Sequence, residues 1–198
     1  FTFTGKSDKD WEITIEDDHL VDLILRTNRL GVKDADLFMY ISESDNEVDL
    51  KAEHINQYIR ATSGEGFTAK NFRTWAATSR CAERLAFLSK PQDAQTMKKW
   101  QKKLPQVESM QKLWTEGDWI VPTTETGLNK AMLAVNDTVA ANLGNTRTVC
   151  RSSYIHPWFL GAWMEGNLLE KWDELADIRR ISGLSAGESA TLRVLKSL

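Results

Sequence analysis

Apolar positions along this chain first alternate and then recur at helical spacing. Phe1-Thr2-Phe3-Thr4 and Trp11-Glu12-Ile13-Thr14-Ile15-Glu16 alternate at period two around polar Gly5-Lys6-Ser7-Asp8-Lys9. That pattern predicts a hairpin over residues 1–16 with Lys6 at its tip. Asp17 and Asp18 then precede Leu20, Leu23, Ile24 and Leu30, as in a capped helix ending near Gly31. Leu37–Ile41 is a short apolar run, strand or helical turn, closed by polar Ser42–Asn46. Residues 51–62 place Ile55, Tyr58 and Ile59 on one helical face, and Ser63-Gly64-Glu65-Gly66 stops them. Thr68 can cap the next helix, about 69–89, which carries Phe72, Trp75, Ala76, Ala82, Leu85, Ala86 and Leu88. Across residues 90–124, Pro91, Pro105 and Pro122 bracket polar helical pieces, and the stretch reads as an insert or a mobile connection. Residues 125–143 form an amphipathic helix through Leu128, Met132, Val135, Val139 and Leu143, closed by Gly144. Asn145–Ser153 leads to Tyr154, Pro157 and an apolar helix through Trp158 and Trp163, and two more helices follow, the last from near Ser185. The expected fold is mainly α with a small N-terminal antiparallel β-hairpin or sheet (α+β), the hairpin and helices sharing one core.

Composition narrows the class. The 198 residues are 41% hydrophobic and 27% charged, which excludes a disordered chain, a collagen or a coiled-coil rod. No stretch of about 18 apolar residues is present, so no spanning helix is expected. Cys81 and Cys150 are too few for a disulfide scaffold and suit a reducing compartment. His19, His54 and His156 stand singly, without metal-ligand spacing. Phe1 is not Met and no signal segment follows it, so the chain reads as cut from a longer protein.

Charge is unevenly placed. The total of 25 basic and 28 acidic residues gives −3. Residues 1–50 hold five basic and thirteen acidic side chains, whereas residues 68–112 hold ten basic and three acidic. A polyphosphate partner fits the second segment, although lysines such as Lys98, Lys99, Lys102, Lys103 and Lys112 ordinarily just solvate a helix.

No GxxxxGK[ST] loop, no GxGxxG after a strand and no HExxH occurs. Four residues fit phosphate chemistry, and each also has an ordinary structural reading. Lys6 at a hairpin tip is also a solubilising turn lysine. Arg73 between Phe72 and Trp75 lies near an apolar stripe, where a charge needs a partner or must snorkel. Asn145 after Gly144 is also a helix-end residue, and Tyr154 after Arg151-Ser152-Ser153 is also a half-buried tyrosine.

Longer motifs weigh these readings. Phe67-Thr68-Ala69-Lys70-Asn71-Phe72-Arg73-Thr74-Trp75-Ala76-Ala77-Thr78 resembles the TAKxFRT[WY]xAT segment of type IB DNA topoisomerases. Leu143-Gly144-Asn145-Thr146 with Val149-Cys150-Arg151-Ser152-Ser153-Tyr154-Ile155-His156-Pro157 resembles their bacterial tyrosine box, LGNTPxVCRxSYIHP. Gly5-Lys6-Ser7 is similar to the family's GKS turn, and Ile181-Ser182-Gly183-Leu184-Ser185 to its tail. The segments run in family order and cover most of the chain outside residues 90–124.

The resemblance implies the catalytic-domain fold shared by type IB topoisomerases and tyrosine recombinases. Residues 1–198 would be the catalytic domain of a longer chain: a hairpin over 1–16, a helical part with the arginine box over 17–89, the 90–124 connection, and a helical part with the nucleophile over 125–198. Tyr154 would be the nucleophile, Lys6 the general acid, and Arg73 and Asn145 donors to phosphate oxygens, with Lys70, Arg151 and Lys9 as DNA-binding candidates. Eukaryotic and poxviral members carry His where Asn145 stands. Two residues depart from the family pattern: Asp8 stands for the usual Gly, and Arg147 for the usual Pro. The family's first catalytic arginine and its N-terminal domain would lie ahead of Phe1, so the fragment is expected to be poorly active. Double-stranded DNA is the expected partner, with no cofactor, metal or membrane. A monomer in a bacterial cytoplasm, at the nucleoid, is expected. The rival readings are a tyrosine recombinase, whose HxxR box stands here as Lys70-Asn71-Phe72-Arg73, and a non-catalytic helical DNA-binding or interaction module.

The residue types suit that chemistry. A phenol of pKa about 10 is a poor nucleophile at neutral pH, and an adjacent guanidinium lowers it while neutralising a pentacoordinate phosphate. Arginine's planar fork reaches two phosphate oxygens at once. A departing 5′ oxygen needs a proton, which a lysine on a hairpin can deliver. Exchanging one phosphodiester for another conserves its energy, so the step requires no ATP, and no water has to be activated.

Overall fold

The structure is a computed structural model. It describes residues 2–5, 8–30, 37–176 and 178–198, apart from the side chains of Lys9 and residues 28–30. The chain divides into two compact units, Phe1–Thr68 and Ala69–Leu198. It is mainly helical, as the apolar periodicity predicts, with two small antiparallel sheets, of which the first is the expected hairpin.

In the first unit, β1 (Thr2–Gly5) pairs with β2 (Lys9–Glu12) in the register Thr2↔Glu12 and Gly5↔Lys9. Phe3 and Trp11 lie opposite each other and their rings stack with centroids 6.4 Å apart. Asp8 closes the turn at φ 52, in the left-handed region that Gly enters freely and Asp tolerates. Helix α1 (Asp18–Leu30) starts where Asp17 accepts the Leu20 N–H at 3.0 Å. The apolar run after it is a strand, β3 (Met39–Ile41), paired with β4 (Glu47–Asp49). Helix α2 (Ala52–Ser63) ends the unit.

The second unit holds α3 (Ala69–Leu88), α4 (Ala94–Gln101), α5 (Glu108–Leu113), α6 (Glu125–Leu143), α7 (Arg147–Ser153), α8 (Pro157–Glu165), α9 (Leu168–Ala176) and α10 (Ala186–Lys196). Helix α3 packs on α6 and α10, and α6 on α5, α7 and α8. Ala77, Cys81, Leu85 and Leu88 of α3 join Val135 and Val139 of α6 and Phe159 of α8 in one dry cluster. Two ties fix α3 further. The Trp75 indole N–H donates to Glu188 Oε1 at 3.0 Å, and Arg84 donates to Thr138 Oγ1 at 2.9 Å and Asn142 Oδ1 at 2.7 Å.

One expectation changes, and the core is placed. Every buried residue described lies between Ala77 and Val194, within the second unit. Strands of three or four residues withdraw little apolar area, and Leu20, Leu23, Leu25, Ile55 and Tyr58 stay exposed. Residues 90–124 do not stand off as a connection. Met97, Leu104, Met110 and Trp119 are buried in the main cluster, and the Trp119 indole N–H donates to the Leu88 carbonyl at 2.8 Å. Trp100 stacks on Phe87 with centroids 4.4 Å apart. The prolines cut this segment into helices too short to display a period, so its apolar residues read as scattered.

Among the described residues no helix is long and apolar enough to cross a membrane.

Candidate active site

The second unit brings three of the four expected catalytic residues to one place, using the ends of α6 and α7 against the first turns of α3. Helix α6 must stop at Leu143, because Gly144 takes φ 66 and ψ 28, which a side chain resists. The Gly144 and Asn145 N–H groups turn back to the carbonyls of Ala141, at 3.2 Å, and Ala140, at 2.9 Å. Leu143 keeps a free helix-end carbonyl, and Arg73 Nη2 donates to it at 2.7 Å. The arginine thus sits at the negative end of the α6 dipole.

Arg73 has a second neighbour. Its guanidinium carbon lies 5.6 Å from the centroid of the Tyr154 ring, within cation–π range. Tyr154 caps the short α7, its N–H donating to the Cys150 carbonyl at 3.1 Å, and it is half-buried against the core. Arg73 itself is exposed, with donors to spare after the single bond to Leu143.

Asn145 contributes an unspent donor. The helix-end bonds are made by backbone groups, and its side-chain Nδ2 is buried with no hydrogen-bond partner. Such an orphan is uncommon and destabilises the protein by about 1–3 kcal/mol until an acceptor reaches it.

The remaining expected residues divide. Lys70 is exposed on the first turn of α3, three residues before Arg73 and so on the same face. Arg151 is exposed on α7 and lines an open pocket of about 610 Å³ with Met132, Leu160 and Met164, a pocket that excludes Tyr154 and Arg73. Lys6 lies outside the described residues. Lys9 lies in β2, with its side chain outside them.

Neither thiol competes as a nucleophile. Burial pushes the Cys150 thiol up to about 11 against the pull of the nearby Arg73 charge. Burial, reinforced by Cys150, pushes Cys81 up to about 12. Among the described residues no cluster of three His, Cys, Asp or Glu is placed to hold a metal ion.

Arg147, the residue that departs from the motif, is committed elsewhere. Its Nε donates to Asp137 Oδ1 at 2.6 Å and its Nη2 to Oδ2, while Ser109 of α5 also donates to Oδ2. Burial raises the Asp137 carboxyl, but the Arg147 and Ser109 bonds outweigh it and hold the group below the ordinary aspartate range.

A mainly helical body with Arg73 set beside Tyr154 fits the catalytic core of a DNA topoisomerase. The chain belongs to that family: the family model described as eukaryotic DNA topoisomerase I, catalytic core, matches residues 1–157, a span that includes Arg73, Asn145 and Tyr154. DNA is the substrate of that family. A comparison with curated proteins gave no match.

Proposed function

We propose that this domain is the catalytic part of a type IB enzyme of the bacterial kind, relaxing supercoiled duplex DNA through a transient 3′-phosphotyrosyl link. The observation that carries the reading is the placement of Arg73 against both the Tyr154 ring and the end of α6. Asn145 in the place of the eukaryotic histidine supports the bacterial branch.

In this mechanism the Tyr154 hydroxyl oxygen attacks the phosphorus and loses its proton to solvent water as the bond forms. The bond from phosphorus to the 5′ oxygen breaks, and that oxygen leaves as a hydroxyl with a proton from the general acid. Lys6 is proposed for that acid. Arg73 directs its remaining N–H groups at the phosphate oxygens, where charge accumulates in the transition state. Asn145 adds its unspent amide donor after a rotation that brings Nδ2 out of its buried position. The covalent link holds the nick while the free strand turns, and the same step reversed reseals it.

The test is a labelled suicide duplex incubated with the complete protein and run on denaturing gels. Wild type should give a covalent adduct. Tyr154→Phe should give none while binding duplex within a few-fold, because most affinity comes from phosphate contacts. Adduct persisting in that variant would move the nucleophile to Tyr40 or Tyr58. Relaxation of plasmid without pairing of two duplexes separates the activity from that of a recombinase.

A further inference from the structure

Four hydroxyl side chains on and just after α3 behave in two ways. Thr74 Oγ1 donates to the Lys70 carbonyl at 3.1 Å, Ser79 Oγ to Trp75 at 2.9 Å, and Ser89 Oγ to Leu85 at 2.9 Å. Each is the ordinary bond of a helical hydroxyl to the carbonyl four residues back. Thr78 alone among them reaches out of the helix. Its Oγ1 donates to the Tyr154 carbonyl at 3.0 Å and accepts the His156 N–H at 3.1 Å. Thr78 is 3% exposed, so both bonds lie in a dry environment where losing them is costly.

We propose that Thr78 is a positioning residue that holds the Tyr154 backbone at a fixed distance from Arg73, so that one rigid helix sets the geometry of phenol and guanidinium. Thr78 follows Arg73 by five residues, about 7.5 Å along the axis. One stiff element therefore carries both the group that touches the Tyr154 ring and the peg that grips the backbone beneath it. Tyr154 sits past the end of a seven-residue helix and His156 is the N-cap of α8. The Tyr154 and Ile155 N–H groups return to the Cys150 carbonyl at 3.1 Å, and Thr78 takes up the two groups that follow, the Tyr154 carbonyl and the His156 N–H. A displacement of about 1 Å at a reacting group costs roughly a hundredfold in rate. This inference rests on Tyr154 being the nucleophile.

The test compares Thr78→Val, which keeps the shape and loses the hydroxyl, with Thr78→Ser, which keeps the hydroxyl. Single-turnover cleavage of a suicide duplex and equilibrium binding of the same duplex are measured in the complete protein. Thr78→Val should cleave about ten- to a hundredfold more slowly with binding within about twofold, and Thr78→Ser should recover most of the rate. Ser79→Ala, which removes a neighbouring buried hydroxyl bonded only to its own helix, should leave both quantities unchanged. Where the valine variant does not fold, Thr78→Cys, a weaker donor of similar volume, should slow cleavage with binding kept. Cleavage at the wild-type rate in the valine or cysteine variant overturns the proposal. So does a parallel loss of binding and cleavage that serine fails to recover. The Tyr154→Phe control is read separately: adduct from that variant defeats the nucleophile assignment whatever Thr78 does.

Discussion

The Arg73 guanidinium bridges the last carbonyl of α6 and the ring of Tyr154, at 2.7 Å from Leu143 O and 5.6 Å from the ring centroid. The charge is thus held in place by the fold before any phosphate arrives. A lysine in its place would keep the charge and lose the planar fork. Arg73→Lys should therefore lower single-turnover cleavage by about 10²–10³, as loss of a preorganised oxyanion donor does, with duplex affinity within a few-fold. Cleavage at the wild-type rate would reduce Arg73 to a helix cap.

Lys6→Ala tests the proposed acid by changing the leaving group. On ordinary DNA the variant should cleave far more slowly than wild type. On a duplex with a bridging 5′ sulfur the loss should be much smaller, since a thiol departs without needing a strong proton donor. Equal losses on both substrates would make Lys6 a DNA-positioning group and turn attention to Lys9.

Met97 measures how far residues 90–124 are built into the body. Its side chain is fully buried, so Met97→Ala should destabilise the domain by about 2–5 kcal/mol in a denaturant melt. Lys98→Ala, one residue on and exposed, should change little. Two unchanged melts would mean the segment is not part of the cooperative unit.

Arg147 invites the residue that the motif carries. It is the first residue of α7, where proline fits, and Thr146 before it has φ −77 and ψ 156, the extended shape a following proline demands. Arg147→Pro loses a partly exposed ion pair, 42% and 19% exposed on its two sides, worth about 0–1 kcal/mol. It gains about 0.4–1 kcal/mol from a stiffer unfolded chain. The two nearly cancel, so thermal melting should move little. A loss above about 2 kcal/mol would mark the Asp137 tie as a structural keystone.

That tie has a pH signature of definite sign. The folded Asp137 carboxyl lies below its unfolded value, so its contribution is present above the ordinary aspartate pKa of about 3.9 and fades as pH falls through the depressed folded value. Wild type and Asp137→Asn should differ in melting temperature near neutrality and converge in acid. A gap that widens in acid would reverse the assignment.

Elements with a strong local signal were legible in the sequence. The hairpin from Thr2 to Glu12 declares itself by alternation, and α6 by five apolar residues at helical spacing and Gly144 at its end. Strand β4 does not, because Glu47-Val48-Asp49 holds one apolar residue and its pairing is fixed by the turn, where Asp45 takes φ 60. At the site, residue types and motifs pointed to Arg73, Asn145 and Tyr154, but not to what holds them. The partner of Arg73 is a backbone carbonyl seventy residues away, and Thr78 grips backbone groups 76 and 78 residues away. Main-chain partners leave no trace in residue identity, and the side-chain ties of Arg84 to Thr138 and Asn142 span 54 and 58 residues, too far apart for local spacing to reveal.

The confinement of all described burial to Ala77–Val194 has a consequence for how the protein comes apart. Amides in the packed helices should exchange only through global opening, while those before Ala69 exchange through small local ones. A protease added under native conditions should then meet its first sites in the N-terminal unit and leave a resistant piece. That piece keeps Tyr154, Arg73 and Asn145 and discards Lys6, so trimming separates the attacking group from the proposed proton donor.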